Sequence, residues 1–169
     1  MPNQRLRFNG RLLKVYQQDW KLPNGHKVTL EIVRHPGAVL IAPFVDKDHI
    51  IMLRQYRPVI DQYIYELPAG TLAKGEQHLR CAHRELKEET GYVAKKMTRI
   101  GEIYPAPGYT TERIIIFKAE NLTKETWQPE QDEIITSRSM SRSQINKLLK
   151  TGRIVDAKTI CALALCGWA

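Results

Sequence analysis

Six consecutive residues, Arg84-Glu85-Leu86-Lys87-Glu88-Glu89, hold the densest chemistry in the chain. On a helix, at about 100° per residue, Glu85 and Glu89 stand one above the other and Glu88 lies beside them. Like charges at that spacing repel by roughly 0.2–0.5 kcal/mol per pair. Clustered carboxylate oxygens become favourable when a hard divalent cation sits among them. Mg²⁺ suits such a set, because it accepts a few carboxylates and leaves positions for water and phosphate oxygens. The competing interpretation is an ordinary solvated helix face, with Arg84 paired to Glu88 at i,i+4.

The flanking residues decide between the two. Gly70, five residues, Glu76, seven residues, Arg84-Glu85-Leu86, one residue, Glu88-Glu89, one residue, Gly91-Tyr92 reproduces the spacing of the Nudix box. Seven fixed identities at roughly 7% each would coincide by chance about once in 10⁸ placements. Only the last position departs, being Tyr92 where the box is usually aliphatic. The chain therefore resembles a Nudix hydrolase. Glu66-Leu67-Pro68-Ala69-Gly70, Arg54-Gln55-Tyr56-Arg57 and Pro105-Ala106-Pro107-Gly108 resemble the ADP-ribose pyrophosphatase branch. His35-Pro36-Gly37-Ala38-Val39 and Gly152-Arg153-Ile154-Val155-Asp156-Ala157-Lys158-Thr159 do so too, so the resemblance runs from roughly residue 10 to residue 168.

The resemblance implies hydrolysis of a nucleoside diphosphate sugar at its phosphoanhydride, which needs charge neutralisation and an activated water. Glu85, Glu89, Glu88 and the carbonyl of Ala69 are then the expected metal ligands, for Mg²⁺ or a substituting Mn²⁺. Glu76 and Arg84 are expected to orient the carboxylates, with Gly70 and Gly91 structural. The general base resembles a glutamate on a later loop; within Gln128–Ile134, Glu133 is the choice, with Glu130 and Asp132 as alternatives. Arg54 and Arg57 are candidates for the diphosphate, since guanidinium forks match phosphate oxygens. Pro107, Gly108 and Glu112 are candidates on the substrate side. Glu31 and Trp20 are candidates to meet the base from a neighbouring subunit, which implies a homodimer with exchanged N-terminal strands.

These residues need a scaffold. Leu12–Trp20 and Lys27–Arg34 flank Asn24-Gly25, a pair that accepts positive φ at both central turn positions, so a hairpin is expected. Ala38–Phe44 and His49–Tyr56 read as buried strands, Tyr63–Leu67 as a short extended piece, and Thr98–Tyr104 and Arg113–Ala119 as further strands. Leu79, Ala82 and Leu86 recur at helical spacing within Glu76–Gly91, with Gly91 as a left-handed cap. Ser141 and Gln144 have capping-box spacing before Gln144–Leu149, and Asp156 is a candidate N-cap for a helix through Cys166. This order lacks a βαβ rhythm and gives a mixed α+β class. The resemblance adds an α/β/α sandwich with a mixed central sheet (37–169) preceded by N-terminal strands forming an antiparallel hairpin (1–36).

The chain has 169 residues, enough for one domain with a real core. Hydrophobic residues at 43% and charged residues at 26% exclude disordered and fibrous classes. No apolar run approaches the ~20 residues of a membrane span. Met1-Pro2-Asn3-Gln4-Arg5 has no signal-type stretch, so a soluble cytoplasmic protein is expected. Cys81, Cys161 and Cys166 lack metal or disulfide spacing and read as small buried hydrophobes. The net charge of +8 favours an anionic partner. RNA binding or removal of an RNA cap nucleotide is the alternative activity, and intact Glu85, Glu88 and Glu89 argue for turnover over mere binding.

Overall fold

The computed structural model describes residues 4–125 and 134–169. Three strands come first: β1 (Gln4–Asn9), β2 (Lys14–Lys21) and β3 (Lys27–Arg34). Then follow β4 (Ala38–Pro43), β5 (His49–Arg57), a 3-10 turn at Pro58–Ile60, β6 (Gln62–Glu66) and β7 (Ala69–Thr71). Helix α1 (His78–Thr90) leads to β8 (Tyr92–Ile103) and β9 (Ile114–Lys124). The chain closes with β10 (Ile135–Ser141), α2 (Arg142–Lys150) and α3 (Ala157–Leu165).

β4 explains the layering. Every residue of Ala38-Val39-Leu40-Ile41-Ala42-Pro43 is buried, as a central strand covered on both faces requires. It runs parallel to β9 and antiparallel to β7, in a sheet ordered β7-β4-β9-β8. Alternate residues point to opposite faces. Leu40 and Ala42 therefore join Ile116, Ile145 of α2 and Leu163 of α3 on one side. Val39 and Ile41 join Cys81, Ala82 and Leu86 of α1 on the other. Burying each of Leu40 and Ile41 contributes about 1.5–3 kcal/mol. The mixed sheet between helices matches the α/β/α expectation. A second, antiparallel sheet, β10-β5-β6, packs Met52 and Met140 into the α2–α3 core.

The N-terminal unit is larger than a hairpin. β1 pairs with β2 to make a three-stranded sheet, and its six residues are all exposed, which hid it from a reading based on burial patterns. Of the Asn24-Gly25 pair only Gly25 has positive φ, at 87°. The loop is wider than a two-residue turn and is closed by Leu22 N–H donating to the His26 carbonyl at 2.8 Å. The end of β3 is stitched to the loop before β9. Val33 N–H donates to Tyr109 O at 2.8 Å, Thr111 N–H donates to Val33 O at 3.0 Å, and His35 N–H donates to Thr111 Oγ1 at 3.0 Å.

Both C-terminal helices start where their capping residues stand. Ser141 accepts from Gln144 N–H while the Gln144 side chain accepts from Ser141 N–H, a full capping box. Asp156 Oδ2 accepts from Thr159 N–H at 3.0 Å, fixing the first turn of α3. Among the described residues no helix is long and apolar enough to cross a membrane.

Candidate active site

Helix α1 is closed by Gly91, whose φ of 72° suits a residue without Cβ and whose N–H donates to Lys87 O at 2.9 Å. It opens at His78, two residues after the Glu76 start expected from the sequence, because Glu76 is engaged in the preceding loop. Leu86 and Ala82 lie wholly buried beneath β4. Glu85 and Glu89, adjacent to that apolar stripe, are carried into the helix–sheet boundary, where they are 9% and 4% exposed. Ala69 N–H donates to Glu89 Oε2 at 2.8 Å. A Cβ on Gly70 would lie 1.9 Å from the Glu85 carboxylate. Gly70 is thus required for close approach, and the hollow it leaves is filled by a carboxylate.

Arg84 organises this wall. Its Nε and Nη2 donate to the two oxygens of Glu76, each at 3.0 Å. Its Nη1 donates to Glu88 Oε2 at 2.8 Å and lies 2.6 Å from Glu85 Oε1. The hydrogen bonds to Glu76, then to Glu88, outweigh partial burial and raise the Arg84 pKa. In return the bonds from Arg84 and from Ala73 N–H hold the Glu76 carboxyl down at about 2. Burial, with Glu85 beside it, pushes the Cys81 thiol up to about 12, so it remains an uncharged part of the packing. Cys161 and Cys166 are half-buried.

The opposing wall is cationic. Arg57 donates through Nε and Nη2 to Glu66, with Nη2–Oε2 at 2.6 Å and Nε–Oε2 at 3.0 Å. Lys158 Nζ donates to Glu66 Oε1 at 3.0 Å and to Asp156 Oδ1 at 2.8 Å. The Glu66 side chain is only 3% exposed. Burial lowers the Arg57 pKa, yet the hydrogen bonds and charge of Glu66 outweigh it and the net shift is upward. Leu67 N–H donates to Thr159 Oγ1 at 2.9 Å, so α3 holds the segment that carries Ala69.

One cleft of about 360 Å³ is lined by Arg57, Asp156 and Lys158, by Ala69 and Gly70 with the Glu85 and Glu89 carboxylates packed behind them, and by Pro105 and Glu112. A larger cavity of about 560 Å³ lies at Phe44, Lys118 and Trp168 and holds none of the expected site residues, so size does not locate the site. Glu112 stands 3.9 Å from His35 Nδ1 at the cleft edge. Arg54 does not line the cleft; its guanidinium lies 4.2 Å from the Tyr63 ring centroid. Pro107 and Gly108 are exposed, and Pro105 rather than either of them lines the cleft. Trp20 and Glu31 lie on the N-terminal sheet, also exposed and outside this cleft. Glu130, Asp132 and Glu133 lie outside the described residues.

Glu66, Asp156 and Lys158 were not singled out as site residues from the sequence. Their signal was present, since they stand in the two stretches that carry the family resemblance. Glu66 and Lys158 are 92 positions apart, and no spacing rule connects them.

The candidate ligand atoms, the carboxylates of Glu85 and Glu89 and the carbonyl of Ala69, are all oxygens, which suits a hard cation. Among the described residues no three His, Cys, Asp or Glu side chains already form a metal-holding group. Arg84 engages both Glu85 and Glu88, and of the three box carboxylates Glu85 and Glu89 are the buried two, a number that fits the preference of Mg²⁺ for few protein ligands.

Comparison with known proteins agrees with this architecture. Residues 33–163 match the model of the NUDIX domain. Over 158 residues the chain is 40% identical to an ADP-ribose pyrophosphatase of Bacillus subtilis, covering 92% of this chain and 85% of the relative. It is 37% identical over 158 residues to the methanol dehydrogenase activator of Bacillus methanolicus, at the same coverage of 92% and 85%. A crystal structure of an ADP compounds hydrolase superposes with a TM-score of 0.82 at 28% identity, covering 97% of this chain and 91% of that one. With its box folded into a buried carboxylate pair and most of its length matched, the chain belongs to the Nudix hydrolase family.

Proposed function

We propose that the chain hydrolyses the diphosphate of ADP-ribose or a related nucleoside diphosphate sugar, releasing a nucleoside monophosphate and a sugar phosphate. One observation carries this: buried carboxylates lie behind Ala69 and Gly70 on one wall of a cleft whose other wall presents Arg57 and Lys158. A diphosphate linking two organic groups matches that division, with cations on one side and metal-holding oxygens on the other. The names of the B. subtilis relative and the ADP compounds hydrolase support the substrate class.

Glu85, Glu89 and the Ala69 carbonyl would hold Mg²⁺, or Mn²⁺ in its place, with Glu88 joining once it leaves Arg84. Bound there, the ion neutralises phosphate charge and lowers the pKa of a coordinated water. Arg57 would grip the non-bridging phosphate oxygens through the fork that Glu66 orients. Water adds to phosphorus, the anhydride P–O bond breaks, and the water's proton passes to a carboxylate of the 128–134 segment, for which Glu133 is proposed ahead of Glu130 and Asp132. Arg84 and Glu76 fix the carboxylate wall so that it need not reorganise during the reaction.

A second copy of the chain is proposed to cover the N-terminal sheet, where Leu6, Phe8, Trp20 and Leu30 are between 41% and 58% exposed. Exchange of these strands would bring Trp20 and Glu31 toward the partner's cleft. Sedimentation at micromolar concentration is expected to show a dimer, and a monomer would remove this part.

The functional test incubates the protein with ADP-ribose, GDP-mannose and UDP-glucose in Mg²⁺. Nucleoside monophosphate and sugar phosphate should form, and Glu89→Gln should abolish their release. Absence of product from all three overturns the proposal, and salt-dependent RNA binding without turnover would put RNA in its place.

A further inference from the structure

We infer that Lys158, on the first turn of α3, is a substrate-contacting cation that works with Arg57 as a two-point cradle for the diphosphate. The inference rests on the diphosphate-hydrolysis proposal above. An ammonium has three donors. Two are spent on Glu66 Oε1 and Asp156 Oδ1, at 3.0 and 2.8 Å. The third remains for an acceptor in the cleft that Lys158 lines.

Glu66 is the unusual member. A carboxylate with a 3% exposed side chain is costly to bury. It is compensated by two cations from distant parts of the chain, Arg57 on β5 and Lys158 on α3. The two engaged guanidinium nitrogens, Nε and Nη2, lie on one edge of Arg57, so its other edge carries Nη1. Lys158 is likewise held by two carboxylates, Glu66 and Asp156, whose side chains are 3% and 13% exposed. Two carboxylates and two cations leave the cluster neutral at rest; Arg57, Lys158 and Asp156 line the cleft and Glu66 does not. A compact, flexible ammonium suits a contact that must follow one phosphate oxygen, while the rigid fork of Arg57 sets orientation. Glu66 and Asp156 are positioning residues in this arrangement.

The alternative role for Lys158 is a counter-ion that only makes Glu66 tolerable in the interior. A double-mutant cycle separates the two. Lys158→Met should raise KM for ADP-ribose in saturating Mg²⁺ by roughly 10- to 100-fold, the scale of one charged hydrogen bond, with kcat changed by less than about threefold. In a Glu66→Gln background the same substitution should still raise KM about tenfold, because the phosphate contact is lost again. Lys158→Arg should recover most of the loss, and KM of Lys158→Met should depend less steeply on NaCl than that of the wild type. Calorimetric binding of the methylene-bridged ADP-ribose analogue should weaken in parallel. Should thermal melts show Lys158→Met unfolded, Lys158→Gln is the variant measured. An unchanged KM in the folded variant overturns the inference, as does loss of the whole effect in the Glu66→Gln background. Wild-type turnover with either result leaves the function intact and removes only Lys158; a wild type that releases no product removes the underlying function instead.

Discussion

The acidic cluster behind Ala69 and Gly70 and the cationic cluster lining the cleft are built as inverses. On one, a single guanidinium, Arg84, gathers three carboxylates, Glu76, Glu85 and Glu88. On the other, a single carboxylate, Glu66, gathers two cations, Arg57 and Lys158. The first knot closes within one loop and the helix after it, no carboxylate partner of Arg84 being more than eight positions away. The second closes only when α3 docks, across 92 positions. The acidic wall folds locally and the basic wall exists only in the finished tertiary structure, so damage to the carboxylates at the heart of each should show in a different observable.

The largest effect is expected at the acidic wall and in rate alone. Glu89→Gln keeps an acceptor for Ala69 N–H but loses the charge, so turnover should fall roughly 10²- to 10³-fold while the melting temperature barely moves. A large fall in melting temperature would show that this wall is also structural and erase the contrast. Next is Gly70→Ala. Its Cβ would meet the Glu85 carboxylate at 1.9 Å, and the displaced carboxylate should cost about 10²-fold in turnover. A Mg²⁺ titration of activity should show weaker apparent metal affinity, and wild-type behaviour would show that Glu85 has room to move.

At the basic wall the carboxylate that gathers the cations should respond in stability. Glu66→Ala strips the buried partner from two cations and should lower the unfolding free energy by roughly 3–5 kcal/mol, read by urea denaturation. A loss below about 1 kcal/mol would place it with ordinary surface ion pairs. The smallest effect concerns Glu76, held at about 2 against an ordinary 4.5. Its folded pKa is depressed, so its stabilisation is full above pH 4.5 and is lost as pH falls toward 2. Melting temperature followed from pH 6 to pH 3 should drop less steeply in Glu76→Gln than in the wild type; parallel curves would detach Glu76 from the acid response.

The same contrast explains what the sequence disclosed. Arg84, Glu85, Glu88, Glu89 and Gly70 were legible because their partners sit at helical or short-loop spacing. Gly91, Ser141 and Asp156 were legible for the same reason, since caps act within three or four residues. Glu66 and Lys158 were not, because their meeting depends on packing between α3 and β6. β1 escaped notice because its residues are all exposed, and β10 because five of its seven residues are exposed or half-buried polar ones, Thr136, Ser137, Arg138, Ser139 and Ser141. The opening of β8 was masked by Lys95-Lys96, although Ala94 beside them is buried against β9. Arg54 is the converse case. Its type and neighbourhood suggest phosphate, whereas strand alternation puts it on the face of β5 opposite Arg57, with its guanidinium 4.2 Å from the Tyr63 ring centroid.

The stitching of Val33 to Tyr109 and Thr111 governs where the chain tolerates insertions and deletions. Added residues at the β2–β3 tip, around Pro23 and Asn24, extend an exposed loop and leave the cleft untouched. One residue added between Val33 and His35 would instead put the His35 bond to Thr111 out of phase with the two bonds at Val33, beside Glu112 at the cleft rim. Length variation should therefore be abundant at one end of β3 and suppressed at the other, although both ends lie far from the metal-holding carboxylates in sequence.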